Sequence, residues 1–388
     1  MVEENSKKIA ILLYTEPEWG GGHQYAMTLT ECLIELSGSR FEFIALCKNE
    51  FWCSWCNDNN VKYFKIDDSN ERQINGSLIF PALCKVYNMY KTELGRIVKK
   101  EKIDMLFISM QLYFPNLNTK MVAPVHDLMH RYEATFSEVR GDYKYREKIF
   151  KCEAKYADYL LTDSELGRQQ FIQSYSTYMK RRRPNIVSLP FIVPPHIGEI
   201  KEEYINVPDK YVFYPAQFWR HKNHINLVKA IQLLKNDVDD IHLILVGSEK
   251  NCLQEIEEYI RDNKLERNIT IFGFVSDGNI TYLYKHAVAL VMPSYFGPTN
   301  LPPLEAMALG CPAIVSNKYA MPEQVGDAGL LFNPDSPEEI AECIWRVWVD
   351  ESLRERMIRK GYQRIKRRNK QYFKDTVLKV IENCLNDN

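Results

Sequence analysis

No stretch of the 388 residues reaches the roughly 18 consecutive apolar side chains that a membrane-spanning helix needs. The opening MVEENSKK carries charges where a secretory leader would place its hydrophobic segment, so a cytoplasmic protein is expected. Net charge is missing as well. Fifty Lys and Arg against 51 Asp and Glu leave a formal −1, which excludes a nucleic-acid partner recognised through bulk charge and makes any basic patch local. Cys53 and Cys56 form one C-x-x-C, but no second C-x-x-C or H-x-x-x-H follows nearby to complete a zinc site. Ten cysteines scattered over this length read as reduced, buried thiols and not as a disulfide framework. His126 and His130 in HDLMH are spaced like a metal pair, yet the glutamate that follows the first histidine in zinc peptidases is absent and the motif ends a strand. Three glycines, Gly20 to Gly22, are accompanied by neither G-x-G-x-x-G nor a P-loop lysine. No metal is expected.

What is present is a long alternation of apolar runs and helical patterns. With 45% hydrophobic and 26% charged residues the chain can bury sizeable cores and is expected to form two domains. KIAILLY (8–14) reads as a strand leading through the glycine loop into a helix with Tyr25, Leu29, Cys32 and Leu33 on one face. Strands follow at 43–46, 61–66, 105–109, 121–125 and 157–162, with a helix of about 20 residues over 81–100. A Pro- and charge-rich stretch, 189–208, reads as a linker. Strands at 210–214, 241–246, 269–272 and 288–292 then alternate with helices at 223–235, 254–262 and 279–286. The fold class expected is α/β with two Rossmann-like domains, 1–195 and 205–365, and a C-terminal helix within 366–388 that is amphipathic through Phe373, Val377, Val380, Ile381 and Leu385.

The most informative segment is VMPSYFGPTNLPPLEAMALGCPAIV (291–315), which reads as strand, loop, short helix and strand. Pro302 and Pro303 fit the first helical turn, where a missing N–H costs nothing. The amides of Thr299, Asn300 and Leu301 then lie at a helix N-terminus, where unpaired donors and the dipole attract phosphate. Glu305, one turn in, can accept hydrogen bonds from a polyhydroxyl group beside that anion. A phosphate next to a diol points to a nucleotide-sugar. Two more positions sit at strand ends where ligands collect: His126 after VAPV, and Arg220 and Lys222 in YPAQFWRHKNH (214–224). The loops VGSEKN, with Gly247, and FGFVSD, with Phe274, follow the next two strands. DVDD (237–240) contains a D-x-D, but it lies between a helix and the following strand, at the opposite edge of the sheet, and reads as a solvated loop.

The wording P-S-x-x-x-x-x-x-L-P-x-L-E-A-M-A-x-G-x-P resembles the signature of the retaining nucleotide-sugar glycosyltransferases of the GT-B fold, in particular the large family 4, and a looser resemblance extends over nearly the whole chain. It implies two domains facing a cleft, with the C-terminal helix crossing back to the first. It further implies a nucleotide-diphosphate-sugar donor with no other cofactor, bound by Gly21, Gly22, Gly247, Phe274, Pro298, Thr299, Asn300, Leu301 and Glu305. Catalysis would fall to Lys222, Arg220 and His126. Lys222 matches the family lysine, whereas the usual arginine position holds Gln217, so Arg220 serves only if the loop turns it inward. The family's E-x7-E has lost its first glutamate to Gly297, which leaves the donor sugar to Pro298, Thr299, Asn300 and backbone amides. The activity expected is transfer of a sugar, mannose-like weakly favoured, to a glycan or lipid-linked glycan in surface polysaccharide synthesis. The cations Lys180 to Arg183 would allow peripheral contact at the inner membrane face. Two alternatives share the features: a nucleotide-sugar 2-epimerase, which needs cleft carboxylates not identified here, and a catalytically weak sugar-nucleotide-binding protein, suggested by Gly297 and Gln217.

Overall fold

The computed structural model describes residues 6–38, 41–67, 81–111, 114–179, 184–297 and 300–386. The chain forms two compact units. The first comprises Met1–Tyr132, Gly141–Pro190 and Lys370–Asn388, and the second Glu133–Arg140 and Phe191–Asn369.

The first unit holds seven strands: β1 (Lys7–Leu13), β2 (Phe41–Cys47), β3 (Tyr63–Lys65), β4 (Met105–Ile108), β5 (Lys120–Val125), β6 (Tyr159–Thr162) and β7 (Asn185–Ser188). They pair in the order β3-β2-β1-β4-β5-β6-β7, every pair parallel. The second unit holds β8 (Val212–Pro215), β9 (Leu243–Val246), β10 (Ile269–Phe272), β11 (Ala289–Met292), β12 (Ala313–Ser316) and β13 (Gly329–Phe332), in the order β10-β9-β8-β11-β12-β13, also all parallel. Helices cover both faces of such sheets, which is why the central strands are apolar at every position and not alternating. Ile9 to Leu13 and Leu243 to Leu245 are fully buried. Both sheets follow the 3-2-1-4-5-6 order of a doubly wound fold, so the strand sequence reverses direction between β1 and β4 and again between β8 and β11. Loops leaving the carboxyl ends of those strand pairs diverge and leave a crevice for a ligand.

The helix expected over 81–100 is two helices, Pro81–Lys91 and Glu93–Glu101. Thr92 leaves the helical region (φ −94°, ψ 149°) and its side chain accepts the Gly95 amide at 3.1 Å, a cap that starts the second helix afresh. Gly95 permits the turn, since any Cβ there would collide with the Asn88 backbone. Strand β7 went unread because its four residues follow a run of cations and a proline. Within 189–208, Leu189, Phe191, Ile192 and Ile197 are buried. The C-terminal helix Lys370–Asn386 packs in the first unit, burying Phe373, Val377, Val380, Ile381 and Cys384, while Lys370 and Lys374 both pair with Glu35 (2.5 and 2.9 Å).

All ten cysteines are free and buried. Cys56 approaches Cys47 (Sγ–Sγ 3.7 Å) in preference to its C-x-x-C neighbour. The histidines of HDLMH separate: His130 is buried against Glu147 and Tyr175, and His126 turns elsewhere. Among the described residues no helix is long and apolar enough to cross a membrane. The cations Lys180 to Arg183 lie outside the described residues.

One buried group works against the fold. Glu153, in the helix Tyr143–Tyr156, is fully buried with neither carboxyl oxygen hydrogen-bonded, and burial pushes its pKa up to about 8. An unfolded chain ionises this group near 4.5. Between pH 4.5 and 8 the folded protein therefore holds a proton that the unfolded chain has released, and stability is lost as pH rises through that window. Glu153→Gln should raise the melting temperature, by more at pH 8.5 than at pH 5. Equal shifts at the two pH values would show that Glu153 does not titrate in this way.

Candidate active site

The site grows from the switch point of the second sheet. After β8 the chain runs through residues 216–223, makes a single 3₁₀ turn at Arg220–Lys222 and enters the helix His224–Leu234. The turn ends on Asn223 in the left-handed region (φ 59°), a conformation asparagine tolerates better than most residues. Its side-chain amide donates to the carbonyls of Pro293 (3.1 Å) and Pro334 (2.8 Å), and the buried Tyr214 hydroxyl donates to the Lys222 carbonyl at 3.0 Å. Lys222 itself is half-buried and makes no ion pair among the described residues. Burial lowers its ammonium to about 8. A desolvated cation without a counter-charge is the feature a phosphate-binding loop requires. Arg220 is placed differently: its guanidinium pairs with Glu255 at 2.9 Å, both side chains about half exposed. Gln217, at the family's arginine position, accepts from Trp219 Nε1 at 3.0 Å.

Beside this loop runs the one that follows β11, residues 293–300, bonded to it through Tyr295 N–H to the His221 carbonyl (2.9 Å). It leads into the helix Leu301–Ala308. The expectation of three free amides at this helix start needs correction. Gln324, from the helix Met321–Val325, accepts the Asn300 amide through Oε1 at 3.0 Å and returns a bond from Nε2 to the Asn300 carbonyl. Pro302 and Pro303 have no N–H to offer. Of the first three helical residues only Leu301 carries an N–H, and Pro298 and Thr299 lie outside the described residues.

Glu305 sits one turn inside, half-buried, with Oε2 accepting the Tyr284 hydroxyl at 2.9 Å. Burial pushes its carboxyl up to about 7 even though the Tyr284 bond pulls it down. Its second oxygen remains for a ligand hydroxyl. Tyr284 comes from the helix Asp277–His286 and is fixed by an edge-on contact with Phe213 (centroids 5.1 Å apart).

Gly297 takes φ +139°, where an L side chain is strained, and any Cβ would run into the Asn300 carboxamide. The missing glutamate is thus a matter of space as well as of composition: Asn300 fills it. Gly247, after β9, has a packing duty too, because a Cβ would collide with the Ala216 carbonyl. Phe274, after β10, is 97% exposed.

In the first unit His126 ends β5, with Gln111 Oε1 accepting its backbone amide at 2.6 Å. Its Nδ1 lies 3.1 Å from Asp163 Oδ1 and 3.2 Å from Oδ2, and the Tyr25 ring packs edge-on at 4.5 Å. An ionised Asp163 can only accept, which puts the proton on Nδ1 and directs chemistry through Nε2. Neighbouring Asp127 is tied to Arg146 (2.5 Å) and to the Met129 amide (2.9 Å). Gly21 and Gly22 open the helix Gly21–Leu36, with their amides at its N-terminus.

Sequence reading missed Asp163, Tyr284, Gln324 and Glu138. Asp163 was within reach, since it follows β6 by one residue, the kind of strand-end position that singled out His126. The other three meet their partners only through tertiary packing. The D-x-D segment lies before β9, where Asp240 accepts from Trp348 Nε1 at 3.2 Å.

Two parallel doubly wound sheets, with an unpaired lysine and a half-buried carboxyl flanking one switch point, are the architecture expected of a GT-B glycosyltransferase. Residues 198–364 match the family model of the glycosyl transferases group 1. The O-antigen chain mannosyltransferase B of Escherichia coli is 24% identical over 291 residues, covering 74% of this chain and 76% of the relative. A serotype-specific mannosyltransferase WbdA of the same species is 27% identical over 250 residues, 61% of this chain, but the match spans only 30% of that longer protein. Among solved structures, Anabaena Alr3699/HepE in complex with UDP and glucose superposes with a TM-score of 0.69 at 16% identity, covering 97% of this chain and all of the other.

The packing around Gly297 is testable. Gly297→Ala should weaken nucleotide binding severalfold by displacing Asn300. Adding Asn300→Gly removes the collision but not the strained φ, so it should recover the loss in part. Calorimetric affinities for UDP and GDP measure both, and undiminished affinity in Gly297→Ala would contradict the steric reading.

Proposed function

We propose that this glycosyltransferase moves a sugar, with mannose favoured, from a nucleotide-diphosphate-sugar to a glycan hydroxyl in surface polysaccharide synthesis. The observation that carries the reading is the presence of an uncompensated Lys222 ammonium after β8 and of the Glu305 carboxyl in the helix after β11, where the two connecting loops are bonded to each other. The names of the Escherichia coli relatives support mannose and a polysaccharide product.

In this mechanism Lys222, the Leu301 amide and the helix dipole meet the diphosphate, whose negative charge grows as the anomeric C–O bond breaks. Glu305 accepts the ribose hydroxyls. The acceptor oxygen bonds to the anomeric carbon while its proton passes to the departing phosphate, a front-face course that retains configuration. His126, oriented by Asp163, polarises a donor or acceptor hydroxyl. Gly21, Gly22, Gly247, Phe274 and Asn300 would line the donor. Arg220 joins only by exchanging Glu255 for phosphate. Because side chains supply the positive charge, transfer should proceed without added metal.

The pH dependence follows from the two shifted groups. Glu305 must be ionised to accept from ribose and Lys222 must be protonated, so donor kcat/KM should rise with pH to about 7, fall above about 8 and peak between. Glu305→Gln should abolish the acid limb. Glu305→Ala should weaken nucleotide binding by about 1.5–3 kcal/mol. Lys222→Ala should lower turnover by orders of magnitude without unfolding the chain, and EDTA should leave the wild type unaffected. A strict need for Mg²⁺ or Mn²⁺, or full activity in Lys222→Ala, would sink this mechanism.

The acceptor is proposed to ride on a lipid carrier, with Lys180, Arg181, Arg182 and Arg183 giving reversible contact with anionic membrane. Each cation near such a surface contributes about 1 kcal/mol, weakening as salt rises. Wild type should co-sediment with anionic vesicles at low salt and a variant with all four neutralised should not; identical behaviour removes these four cations from any membrane contact.

A further inference from the structure

One stretch from the first half of the chain is built into the second unit. After Tyr132 the chain leaves the first unit, contributes Glu133–Arg140 to the second, and returns at Gly141. Phe136 packs at ring-centroid distances of 5.4 Å from Tyr295 and 5.8 Å from Phe296, and Glu133 accepts the Tyr319 hydroxyl. Glu133, Thr135 and Phe136 of this stretch wall an open pocket of about 470 Å³ shared with Arg220, Asn223 and Tyr295.

The decisive contacts belong to Glu138. Its Oε1 accepts both the backbone amide of His221 (3.1 Å) and the ring Nδ1–H of the same residue (2.8 Å). Its Oε2 accepts from Asn251 Nδ2 at 3.2 Å, and Asn251 Oδ1 in turn accepts the Arg220 amide at 2.9 Å. Glu138 and Asn251 thereby satisfy two consecutive amides at the start of the Arg220–Lys222 turn, the donors that a helical turn leaves unpaired at its N-terminus. The cap is supplied from about 80 residues away in sequence. Phe296 completes the clamp by stacking on the His221 ring, 4.0 Å between centroids and 15° off parallel. Burial alone would raise the Glu138 carboxyl, yet the bonds from its own amide and from His221 hold it near 2.

We propose that Glu138 is a positioning residue for the donor-diphosphate loop. The loop has two reasons to rearrange. Lys222 is desolvated without a partner, and Asn223 sits in a left-handed conformation. Both are tolerated because Glu138 fixes the residue immediately before Lys222 by backbone and side chain at once. Removing the carboxylate frees the turn to swing its cation into water, which weakens the grip on diphosphate before any chemistry begins. The inference rests on Lys222 being the diphosphate's partner.

The experiment uses the full chain with UDP, GDP and ADP as calorimetric probes, alongside donor kinetics. Glu138→Ala should weaken the preferred nucleoside diphosphate and raise donor KM by roughly 10- to 100-fold, the range for lost charged hydrogen bonds, with a smaller change in kcat. Glu138→Gln should recover to within about fivefold of wild type, since its carbonyl can still serve His221. Combining Glu138→Ala with His221→Ala should be no worse than the weaker single variant, because both cut one connection. A merely structural Glu138 would lower the melting temperature and leave KM in place. Diphosphate affinity and donor KM within about threefold of wild type in Glu138→Ala overturn the proposal. Should that variant fail to fold, Asn251→Ala removes the Arg220 leg and the bond to Glu138 Oε2 while leaving the Glu138–His221 contacts, and should cost severalfold in affinity; no change there overturns the proposal equally. A wild type that binds none of the three nucleotides and transfers nothing ends the Lys222 reading and this proposal together, whereas normal binding with an indifferent Glu138→Ala ends this proposal alone.

Discussion

Holding charge out of water without a protein counter-charge is the constraint on which this molecule depends. Lys222 and Glu305 are each desolvated far enough to move towards neutrality near physiological pH, and neither is compensated by an opposite charge. Such an arrangement is unfavourable in an empty protein and would become favourable with the phosphate and hydroxyls of the proposed donor. The supporting structure is correspondingly over-determined: Tyr214 and Asn223 hold the backbone around Lys222, while Tyr284, pinned by Phe213, holds Glu305.

The same economy of donors governs the helix that begins at Leu301. Two prolines remove amides that a phosphate site could use, and Gln324 takes a third through a reciprocal amide pairing with Asn300. That pairing fixes the helix start at the expense of its anion-binding capacity. Positive charge must therefore come from the neighbouring loop, which raises the importance of Lys222. Asn300 also occupies the space beside Gly297, so Gly297, Asn300 and Gln324 form one packed cluster.

Chain topology adds a second layer. The doubly wound order places the loops after β8 and β11 side by side, yet the contacts that tie the first of them come from Glu133–Arg140, a segment that precedes β8 by more than 70 residues. His126 lies seven residues before that segment, so one continuous stretch carries a candidate catalytic histidine in the first unit and the cap of the Arg220–Lys222 turn in the second.

Much of this was fixed by local pattern. Unbroken apolar strands, alternating with helices and ending in Gly, Pro or His, can only be buried between helix layers, so the sequence itself dictated two parallel sheets and put His126, Lys222 and Glu305 at their ligand-bearing ends. Periodicity could not tell one helix from two across Thr92, because a side-chain cap interrupts the backbone without interrupting the apolar stripe. Nor could it show that Arg220 faces Glu255, that Asn300's amide is already bonded, or that Asp163 orients His126. Those outcomes depend on which donors and acceptors meet across 24 to 37 residues of chain, and hydrogen bonds reach only about 3 Å. The chain order determined where chemistry could collect; tertiary packing decided which groups there were left unpaired to perform it.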